Sequence, residues 1–324
     1  MADTSNWAFP PRLRPKAQDL PFDLEAAMSS VVLVHTEVPD EAFTASMLGT
    51  ERIGHGTVIR EDGLVLTIGY LITEAEAIWL TTYDGAVVQG HALAYDSVTG
   101  FGLILPLGPL NARPMPLGSS GTTSVDDRVV VIGHGGVEHS LSARIIARRE
   151  YAGYWEYLLD DALFTSPPHP QWGGTALVGL DGRLLGTGSM ILQESVDDNT
   201  FDANMFVPID LLQPILDDMV RLGRPARPAR PWLGLYATPM EGQLVVYRLT
   251  QDGPAHRAGL RLGDVVLEVA GQPVTDLGEM FRKVWSVGPA GSDIPITVAR
   301  GRGTSKVSVQ SGDRNDYLIK PRHH

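Results

Sequence analysis

Side chains that could perform acyl transfer lie around one stretch of the sequence, Pro168 to Gly186. The candidate hydroxyl and imidazole groups are Ser166, Thr175, Ser189, His134 and His169. A hydroxyl attacks a carbonyl only when a base takes its proton and an acid orients that base. No Ser–His–acid set falls at positions that one fold would bring together, so the pattern gives a relocated catalytic site little support.

The histidines offer a second chemistry, metal binding. Four of them could meet in the folded chain: His55, His134, His139 and His169. Their spacing matches none of the ligand spacings typical of zinc sites, which favours surface or hydrogen-bonded histidines. The chain has no cysteine, which excludes disulfides, thiolate chemistry and cysteine-bound zinc. We therefore expect no metal and no other cofactor.

The elements that must position these groups are short strands. From residue 29 to about residue 190, apolar or alternating runs of strand length are separated by turns. Asp-Gly pairs at Asp62-Gly63, Asp84-Gly85 and Asp181-Gly182 are typical of β-hairpins. Many short strands without an intervening helical pattern predict an all-β barrel or sandwich.

A helix is predicted at the end of this β-rich region. Apolar residues recur at helical spacing from Leu211 to Val220. Asp210 and Gln213 resemble a capping box at its start, and Gly223 is a candidate C-cap. This helix should close the first domain.

The repeat RPARPARP separates this helix from the rest of the chain. Its three-residue period favours polyproline II, which would place three arginines on one face: Arg224, Arg227 and Arg230. One interpretation is a docking strip for an acidic partner or a proline-recognition module. We favour the other, a stiff spacer, because domain boundaries often fall in Pro-rich junctions.

The amino-acid composition and net charge indicate which partners and which cellular compartment to expect. Of the 324 residues, 43% are hydrophobic and 20% are charged, as in soluble globular proteins. The formal net charge of -12 argues against nucleic-acid binding, which needs a basic surface. No segment has the length of a membrane span, and the start of the chain lacks the apolar stretch of a signal peptide. We expect a cytoplasmic protein without a membrane span, or a periplasmic one if a leader was removed.

Several motifs, in order, resemble those of the HtrA/Deg family, in which a trypsin-like double β-barrel precedes one or more PDZ domains. The motifs are GHGTVIREDGLVLTIGYLI, YDSVTGFGLILPLG, VVVIGHGGVEHSLSARIIA, WGGTALVGLDGRLLG and MFVPIDLLQPILDDMVRLG. The resemblance implies a mostly β chain, a trypsin-like double β-barrel followed by a C-terminal PDZ domain of α+β type. It divides the chain into an N-terminal arm (1–25), a trypsin-like domain (26–223), an Arg/Pro linker (224–231), a PDZ domain (232–313) and a C-terminal tail (314–324).

Three positions depart from the family pattern. Where the family has its catalytic histidine, aspartate and serine, this chain has Tyr70, Gly100 and Trp172. A phenol of pKa about 10 is no base near neutrality, and glycine and indole offer neither carboxylate nor nucleophile. One oxyanion donor falls on Pro170, which has no N–H. The expectation is therefore that the chain has no catalytic residues and is not an enzyme but a pseudoenzyme of the serine endopeptidase class.

Trp172 itself has two interpretations. It either plugs the vacated nucleophile pocket or forms an aromatic floor for a bound peptide together with Tyr70. We favour the plug, because a large side chain in place of a small one usually fills a packed cleft.

The C-terminal unit matches the PDZ pattern more closely. The segment DGPAHRAGLRLGDVVLEVAGQPV resembles the PDZ signature of the family, and PWLGL resembles its carboxylate-binding loop. By this resemblance, backbone N–H groups of the loop hold a peptide C-terminus beside a helix that follows Asp276. The residues expected to bind peptide are Trp232, Leu233, Gly234, Leu235, Met280 and Val284.

These features predict a peptide- or protein-binding scaffold or chaperone-like module in protein quality control, acting through its PDZ domain. Its expected partners are C-terminal or extended peptides of other proteins. By family resemblance, the chain should form a homo-oligomer, a trimer, or assemble with an active homologue. Two alternatives stay open: an active serine endopeptidase with relocated catalytic residues, and a regulatory subunit of an active HtrA-type protease. A PDZ fold used only for packing is a further possibility.

Overall fold

A computed structural model describes residues 7–196 and 199–319. Residues 1–6 of the predicted arm and 320–324 of the predicted tail lie outside the described residues. The chain divides into two compact units. The barrel unit comprises the chain up to Arg149, Asp161–Ala226 and Ile319; the PDZ unit comprises Glu150–Asp160 and Arg227–Leu318.

Six strands form the first barrel of the barrel unit. They are β1 (Val31–Glu37), β2 (Glu51–Val58), β3 (Val65–Ile68), β4 (Ala77–Thr81), β5 (Val87–Tyr95) and β6 (Phe101–Pro106). The sheet runs in the order β1-β2-β3-β6-β5-β4 and closes because β1 pairs with both β2 and β4. Two short helices, α1 (Leu24–Ser29) and α2 (Ala45–Leu48), flank β1 in sequence.

Six further strands form a second closed barrel. They are β7 (Arg128–Ile132), β8 (Ser140–Gly153), β9 (Tyr157–Ser166), β10 (Ala176–Val178), β11 (Leu184–Val196) and β12 (Asn199–Pro208), in the order β10-β11-β12-β9-β8-β7. The predicted Asp181-Gly182 turn joins β10 to β11, and Gly182 has a φ of 73° that favours glycine. The predicted double β-barrel is confirmed.

The N-terminal arm docks on this second barrel from Trp7 onward. The Phe9 N–H donates to the Glu138 carbonyl (2.8 Å), and the Phe9 ring is buried in the barrel core. Aromatic anchors in the arm thus bury apolar area that a loose tail would leave in water.

The predicted helix at the end of the barrel unit is shorter than expected. A 3₁₀ turn covers Ile209–Leu211, and helix α3 covers only Leu216–Leu222. The capping box is wrong, because the Asp210 carboxylate accepts N–H groups of Ser120 (3.1 Å) and Gly121 (2.7 Å) instead. The predicted C-cap is confirmed: Gly223 is left-handed (φ 71°) and its N–H bonds to Met219.

A five-strand sheet path and two helices build the PDZ unit. The strands are β13 (Leu235–Met240), β14 (Gln243–Leu249), β15 (Val265–Val269), β16 (Gln272–Pro273), β17 (Asp293–Arg300) and β18 (Gly303–Gln310), with helices α4 (Pro254–Arg257) and α5 (Leu277–Val287). The path runs β13-β14-β15-β17-β18, with β16 paired to β15, so β13 is an edge strand. The predicted helix after Asp276 is confirmed as α5, and Asp276 caps it by accepting the Glu279 N–H (2.8 Å).

No helix in the described part of the chain is long and apolar enough to cross a membrane.

Candidate functional sites

Tyr70 and Trp172, which stand at two of the three positions where the family resemblance implies a catalytic triad, are joined by a hydrogen bond. Tyr70 lies in the 3₁₀ turn after β3; its hydroxyl donates to the Ser189 carbonyl (2.9 Å) and accepts from the Trp172 side chain. Burial raises the pKa of Tyr70 above its ordinary value. The phenol therefore stays protonated near neutrality and acts as a bridge between two segments of the barrel unit, not as a base.

Gly100, at the third of these positions, makes two backbone hydrogen bonds. Its φ of 84° is left-handed, its N–H donates to the Asp96 carbonyl (2.8 Å), and its carbonyl accepts the Gly69 N–H (2.7 Å). The nearby Asp96 carboxylate accepts the N–H (3.0 Å) and the hydroxyl (2.7 Å) of Thr99. The one carboxylate close in sequence is thus used to build the turn.

The loop before Trp172 lacks one oxyanion donor. Pro170, two residues before Trp172, has no N–H. The Gln171 N–H donates to Nδ1 of His169 (3.1 Å), and the Gly174 N–H donates to the Gly188 carbonyl (2.8 Å). The pair formed by residues 170 and 172 therefore supplies at most one N–H to a developing oxyanion.

A cavity of about 370 Å³ opens between these residues. Its wall includes Tyr70, Trp172, Ile53 and Arg52. The guanidinium of Arg52 donates to the carbonyls of Tyr70 (2.7 Å) and Thr73 (2.9 Å) and to other acceptors, so its hydrogen-bonding capacity serves the fold. Trp172 is half-buried and lines the cavity with Tyr70, which corresponds to the aromatic floor and not to the favoured plug.

The structure brings the four candidate histidines together without making a metal site. The His134 N–H donates to Nδ1 of His55 (3.0 Å), His169 donates through Nε2 to the His139 carbonyl (3.0 Å), and the His55 and His169 rings lie 5.6 Å apart. Burial lowers the pKa of His55 well below its ordinary value and that of His169 to about 4. Among the residues that the structure describes, no group of three or more such side chains is arranged to hold a metal ion.

Two of the three candidate relocated hydroxyls, those of Ser166 and Thr175, have backbone partners. Ser166 donates to the Asp202 carbonyl (3.2 Å), and Thr175 donates to the Trp172 carbonyl (2.8 Å). Neither hydroxyl donates to an imidazole in this arrangement, so neither is primed as a nucleophile by the geometry that triads use.

The second site is the carboxylate loop (residues 232–235) of the PDZ unit. The N–H groups of Leu233 (3.0 and 3.1 Å), Gly234 (2.8 Å) and Leu235 (3.2 Å) all donate to the carboxylate of Glu156. Gly234 makes this convergence possible: its φ is 69°, and a Cβ there would lie 3.0 Å from Thr250. Three successive donors aimed at one carboxylate form an anion-binding nest.

Backbone ties on either side hold the carboxylate loop in place. Trp232, expected among the binding residues, exchanges two backbone hydrogen bonds with Gly312 (2.9 Å each), and its ring packs against Tyr317. The Gly234 carbonyl accepts the Thr250 N–H (2.8 Å). Trp232 therefore positions the nest, while the N–H groups of the three following residues donate hydrogen bonds to the Glu156 carboxylate.

The apolar residues expected at the groove are buried in the core of the PDZ unit. Leu233, Leu235, Met280 and Val284 are each 1% exposed and belong to one cluster. Leu158, from the hairpin between β8 and β9, is buried in the same cluster. In this structure Glu156 therefore occupies the place that the resemblance gives to a peptide C-terminus.

Glu156 is the functional residue that sequence reasoning missed. Its burial raises its pKa to about 7, although the three N–H groups and the charge of Arg314 act in the opposite direction. As a residue Glu156 is half-buried, whereas its carboxylate is surrounded by protein. No sequence motif identifies it, because a single glutamate in a hairpin turn has no local signature.

Two protein-family models match the chain. One describes a trypsin-like peptidase domain and matches residues 54–186; the other describes a PDZ domain and matches residues 231–310. Together they contain both candidate sites, and the trypsin-like match also encloses the Glu150–Asp160 hairpin that belongs to the PDZ unit.

Curated relatives are similar over most of the chain. A probable periplasmic serine endoprotease, DegP-like, of Halomonas elongata is 28% identical over 82% of this chain, which spans 57% of that relative. The serine endoprotease DegS of Escherichia coli (strain K12) is 27% identical over 82% of this chain and 78% of its own length. Among solved structures, an HtrA-type protease AlgW with a tripeptide has a TM-score of 0.54 and 20% identity over 93% of this chain and 99% of its own. That structural likeness supports the fold alone.

These relatives contradict one expectation from the sequence and leave a second without support. The expectation that the chain is not an enzyme is contradicted, because the relatives that cover 82% of it are named serine endoproteases. Tyr70, Gly100 and Trp172 exclude a Ser–His–Asp set only at those three positions and carry no information about catalytic groups elsewhere. The expectation of a cytoplasmic protein finds no support, because the DegP-like relative is named periplasmic.

Proposed function

This chain belongs to the HtrA family of serine proteases, and we propose that its PDZ domain recognises the C-terminal carboxylate of peptides. The observation that carries the proposal is the nest of Leu233, Gly234 and Leu235, whose three N–H groups already hold a carboxylate. A peptide C-terminus presents the same two oxygens and the same charge as the Glu156 side chain.

The surroundings of the nest suit an extended peptide. Strand β13 starts at Leu235 and lies at the sheet edge, where an added strand can pair with its backbone. Buried residues of α5, Met280 and Val284, provide apolar surface for the side chain next to the carboxylate. The ligand class is therefore a peptide with a C-terminal carboxylate and an apolar last residue.

Two changes of the peptide test this assignment in the full-length protein. We expect a fluorescein-labelled peptide that ends in leucine to lose about tenfold or more in affinity when its C-terminus is amidated, because a charge-assisted hydrogen bond contributes about 1.5–3 kcal/mol. Replacing the last leucine by aspartate should cost a similar factor, because an unpaired charge enters an apolar site. Equal affinities for the acid and the amide would show that the loop does not bind a terminus.

A second candidate function is serine endoproteolysis, which the names of the relatives favour. If this chain performs it, the catalytic groups lie outside Tyr70, Gly100 and Trp172. Incubation with a fluorophosphonate probe, followed by peptide mapping, identifies any activated serine. Stoichiometric labelling that is lost on substitution of the mapped serine supports this function, and absence of labelling together with uncleaved casein argues against it.

A further alternative is that this chain is a regulatory subunit of an active HtrA-type protease. In such an assembly it would supply peptide recognition. Co-purification of a second HtrA-type chain with the tagged protein from its native host supports such an assembly. A single species of one chain at all concentrations contradicts it.

We also place the protein in the periplasm, since the DegP-like relative is named periplasmic. Fractionation of host cells by osmotic shock should release the native protein with the periplasmic fraction. Retention with the cytoplasmic fraction would contradict this placement.

A further inference from the structure

The occupant of the carboxylate loop is a side chain of the same chain. Glu156 lies at the turn between β8 and β9, in the segment that we call the tip hairpin (Glu150–Asp160), and this segment belongs to the PDZ unit. Its φ of 62° is in the left-handed region, which a side chain other than glycine or asparagine rarely adopts. The backbone of the hairpin is thus strained at Glu156, the residue whose carboxylate binds to the nest.

The tip hairpin also fills the apolar part of the PDZ unit. Leu158 follows Glu156 by two residues and lies at the start of β9. Leu158 is 7% exposed and buried in the cluster that contains Leu235, Met280 and Val284. A carboxylate in the nest and an aliphatic side chain against α5 are the two features of a bound peptide terminus.

Ion pairs at the base of the hairpin fasten it to α5. Arg282 donates to the carboxylates of Glu150 and Asp160 (2.7 Å to the latter), one from each strand of the hairpin. Gly278, one turn earlier on α5, leaves room for the Glu150 side chain, which a Cβ at that position would strike. At the hairpin turn, the rings of Tyr154 and Tyr247 meet edge to face at 6.1 Å.

The contacts of the nest are selective for a carboxylate. Both Glu156 oxygens accept N–H groups, and Arg314 adds positive charge beside them. The Nε atom of Arg314 is buried without a hydrogen-bond partner in the described part of the chain. A neutral turn residue would leave three buried N–H groups and this charge without an acceptor.

We propose that the tip hairpin is a built-in ligand of the PDZ domain, with Glu156 in the place of a peptide's terminal carboxylate and Leu158 in the place of an apolar side chain. Peptides bind only when the hairpin leaves. This inference rests on the proposed peptide-binding function and adds its regulation. A tethered ligand acts at an effective concentration of about millimolar. A free peptide must therefore compete with the tip hairpin at this concentration.

The consequence is a measurable loss of peptide affinity in the intact chain. The apparent dissociation constant equals the intrinsic constant divided by the fraction of molecules with an open site. With the site open in less than about one molecule in ten, removal of the carboxylate raises affinity more than about tenfold.

The first test compares Glu156→Ala and Glu156→Gln with the wild-type full-length protein. The probe is a fluorescein-labelled peptide that ends in leucine with a free carboxylate, and its amide serves as the negative ligand. Glu241→Gln is the matched control, because Glu241 also has a left-handed φ (50°) but lies exposed in the β13–β14 turn. We expect at least tenfold tighter binding by both Glu156 variants and unchanged binding by the control.

The outcomes separate the two proposals. Equal affinity of wild type and both Glu156 variants for the acid, with no binding of the amide, overturns the built-in ligand and leaves peptide recognition standing. If neither the wild type nor any variant binds the peptide acid more tightly than the amide, recognition of a peptide C-terminus is overturned. The proposal that the tip hairpin is a built-in ligand then fails as well. Far-UV circular dichroism and melting curves confirm that each variant is folded.

A second test fixes the hairpin in place. Because the chain has no cysteine, Tyr154→Cys with Tyr247→Cys gives a double variant that a short bis-maleimide can bridge. Both tyrosines are 46% exposed, so the introduced thiols are accessible. We expect the bridged protein to bind the leucine-ending peptide at least tenfold more weakly than the same variant capped with N-ethylmaleimide. Equal binding by the two forms would overturn the proposal.

Discussion

Two effects act on the pKa of the Glu156 carboxylate: burial raises it, and the three N–H groups of the carboxylate loop lower it. The effect of burial is the larger. Its pKa is raised from an ordinary value of 4.5 to about 7. An acid whose pKa is higher in the docked state holds its proton longer there than in the free hairpin. Docked Glu156 therefore becomes fully ionised only above about pH 7, and the ionised form is the one whose two oxygens accept the three N–H groups of the loop.

We predict that the side-chain carboxyl carbon of Glu156 titrates with a midpoint near 7 in a ¹³C NMR experiment. Glu241, exposed in a turn of the same unit, provides the reference signal. A midpoint for Glu156 equal to that of Glu241 would show that its carboxylate is not enclosed.

Leu235, which the sequence predicts as a peptide-binding residue, also lies in the core of the PDZ unit. An open groove would tolerate Leu235→Asp without unfolding, but the side chain is 1% exposed and lies in the core cluster. We therefore predict a loss of at least about 3 kcal/mol in the unfolding free energy, because a buried leucine is removed and a charge is buried. Leu262→Asp, at a leucine that is 66% exposed, should change stability by less than about 0.5 kcal/mol. Urea denaturation of both variants measures the contrast.

At the scale of elements, the second barrel carries an acid-sensitive core. Burial keeps His169 neutral by lowering its pKa from 6.5 to about 4, with the rings of Trp7 and Phe9 packed against it. A base with a depressed folded-state pKa adds stability above pH 6.5 and loses it as the pH falls towards 4.

We predict that the barrel unit loses about 3 kcal/mol of unfolding free energy between pH 7 and pH 4 through His169 alone, since each pKa unit is worth about 1.4 kcal/mol. The His169→Gln variant should show a flatter dependence of melting temperature on pH. His256→Gln, at an exposed histidine of the PDZ unit, should keep the wild-type slope. Parallel profiles for wild type and His169→Gln would contradict the assignment.

The tip hairpin is held by two kinds of contact of unequal strength. The Arg282 side chain is 49% exposed, and exposed ion pairs contribute about 0–1 kcal/mol each. We predict that Arg282→Gln raises peptide affinity by less than about fivefold, well below the effect of Glu156→Ala. Fluorescence anisotropy with the leucine-ending peptide ranks the two variants. An Arg282→Gln effect larger than that of Glu156→Ala would place the main contact in the ion pairs.

The sequence predicts most elements of the two units but not that residues 150–160 belong to the PDZ unit. The hairpin at Asp181-Gly182 and the helix after Asp276 depend on local signals, and these predictions hold. The capping box at Asp210 fails because that carboxylate has a distant partner, the Ser119–Gly121 turn, which no local pattern shows. The membership of Glu150–Asp160 in the PDZ unit is also a long-range contact, so the sequence could reveal the donors of the nest but not their occupant.

At the scale of the whole molecule, the family motifs establish the order of the parts, while the chemistry of each part depends on this chain's own residues. The barrel unit presents Tyr70 and Trp172 along a cavity wall, and the PDZ unit keeps the carboxylate nest of its family resemblance. We therefore propose that the PDZ unit recognises peptides and that the tip hairpin, which joins β8 to β9, controls this recognition.

The most direct test is the ¹H–¹⁵N spectrum of the full-length protein at the amides of Leu233, Gly234 and Leu235. In wild type these three protons should resonate downfield, as expected for hydrogen bonds to a carboxylate. In Glu156→Ala they should move upfield together, and the leucine-ending peptide with a free carboxylate, but not its amide, should return them downfield. Three amide shifts that are the same in wild type and Glu156→Ala, and that the peptide acid leaves unchanged, would contradict the account.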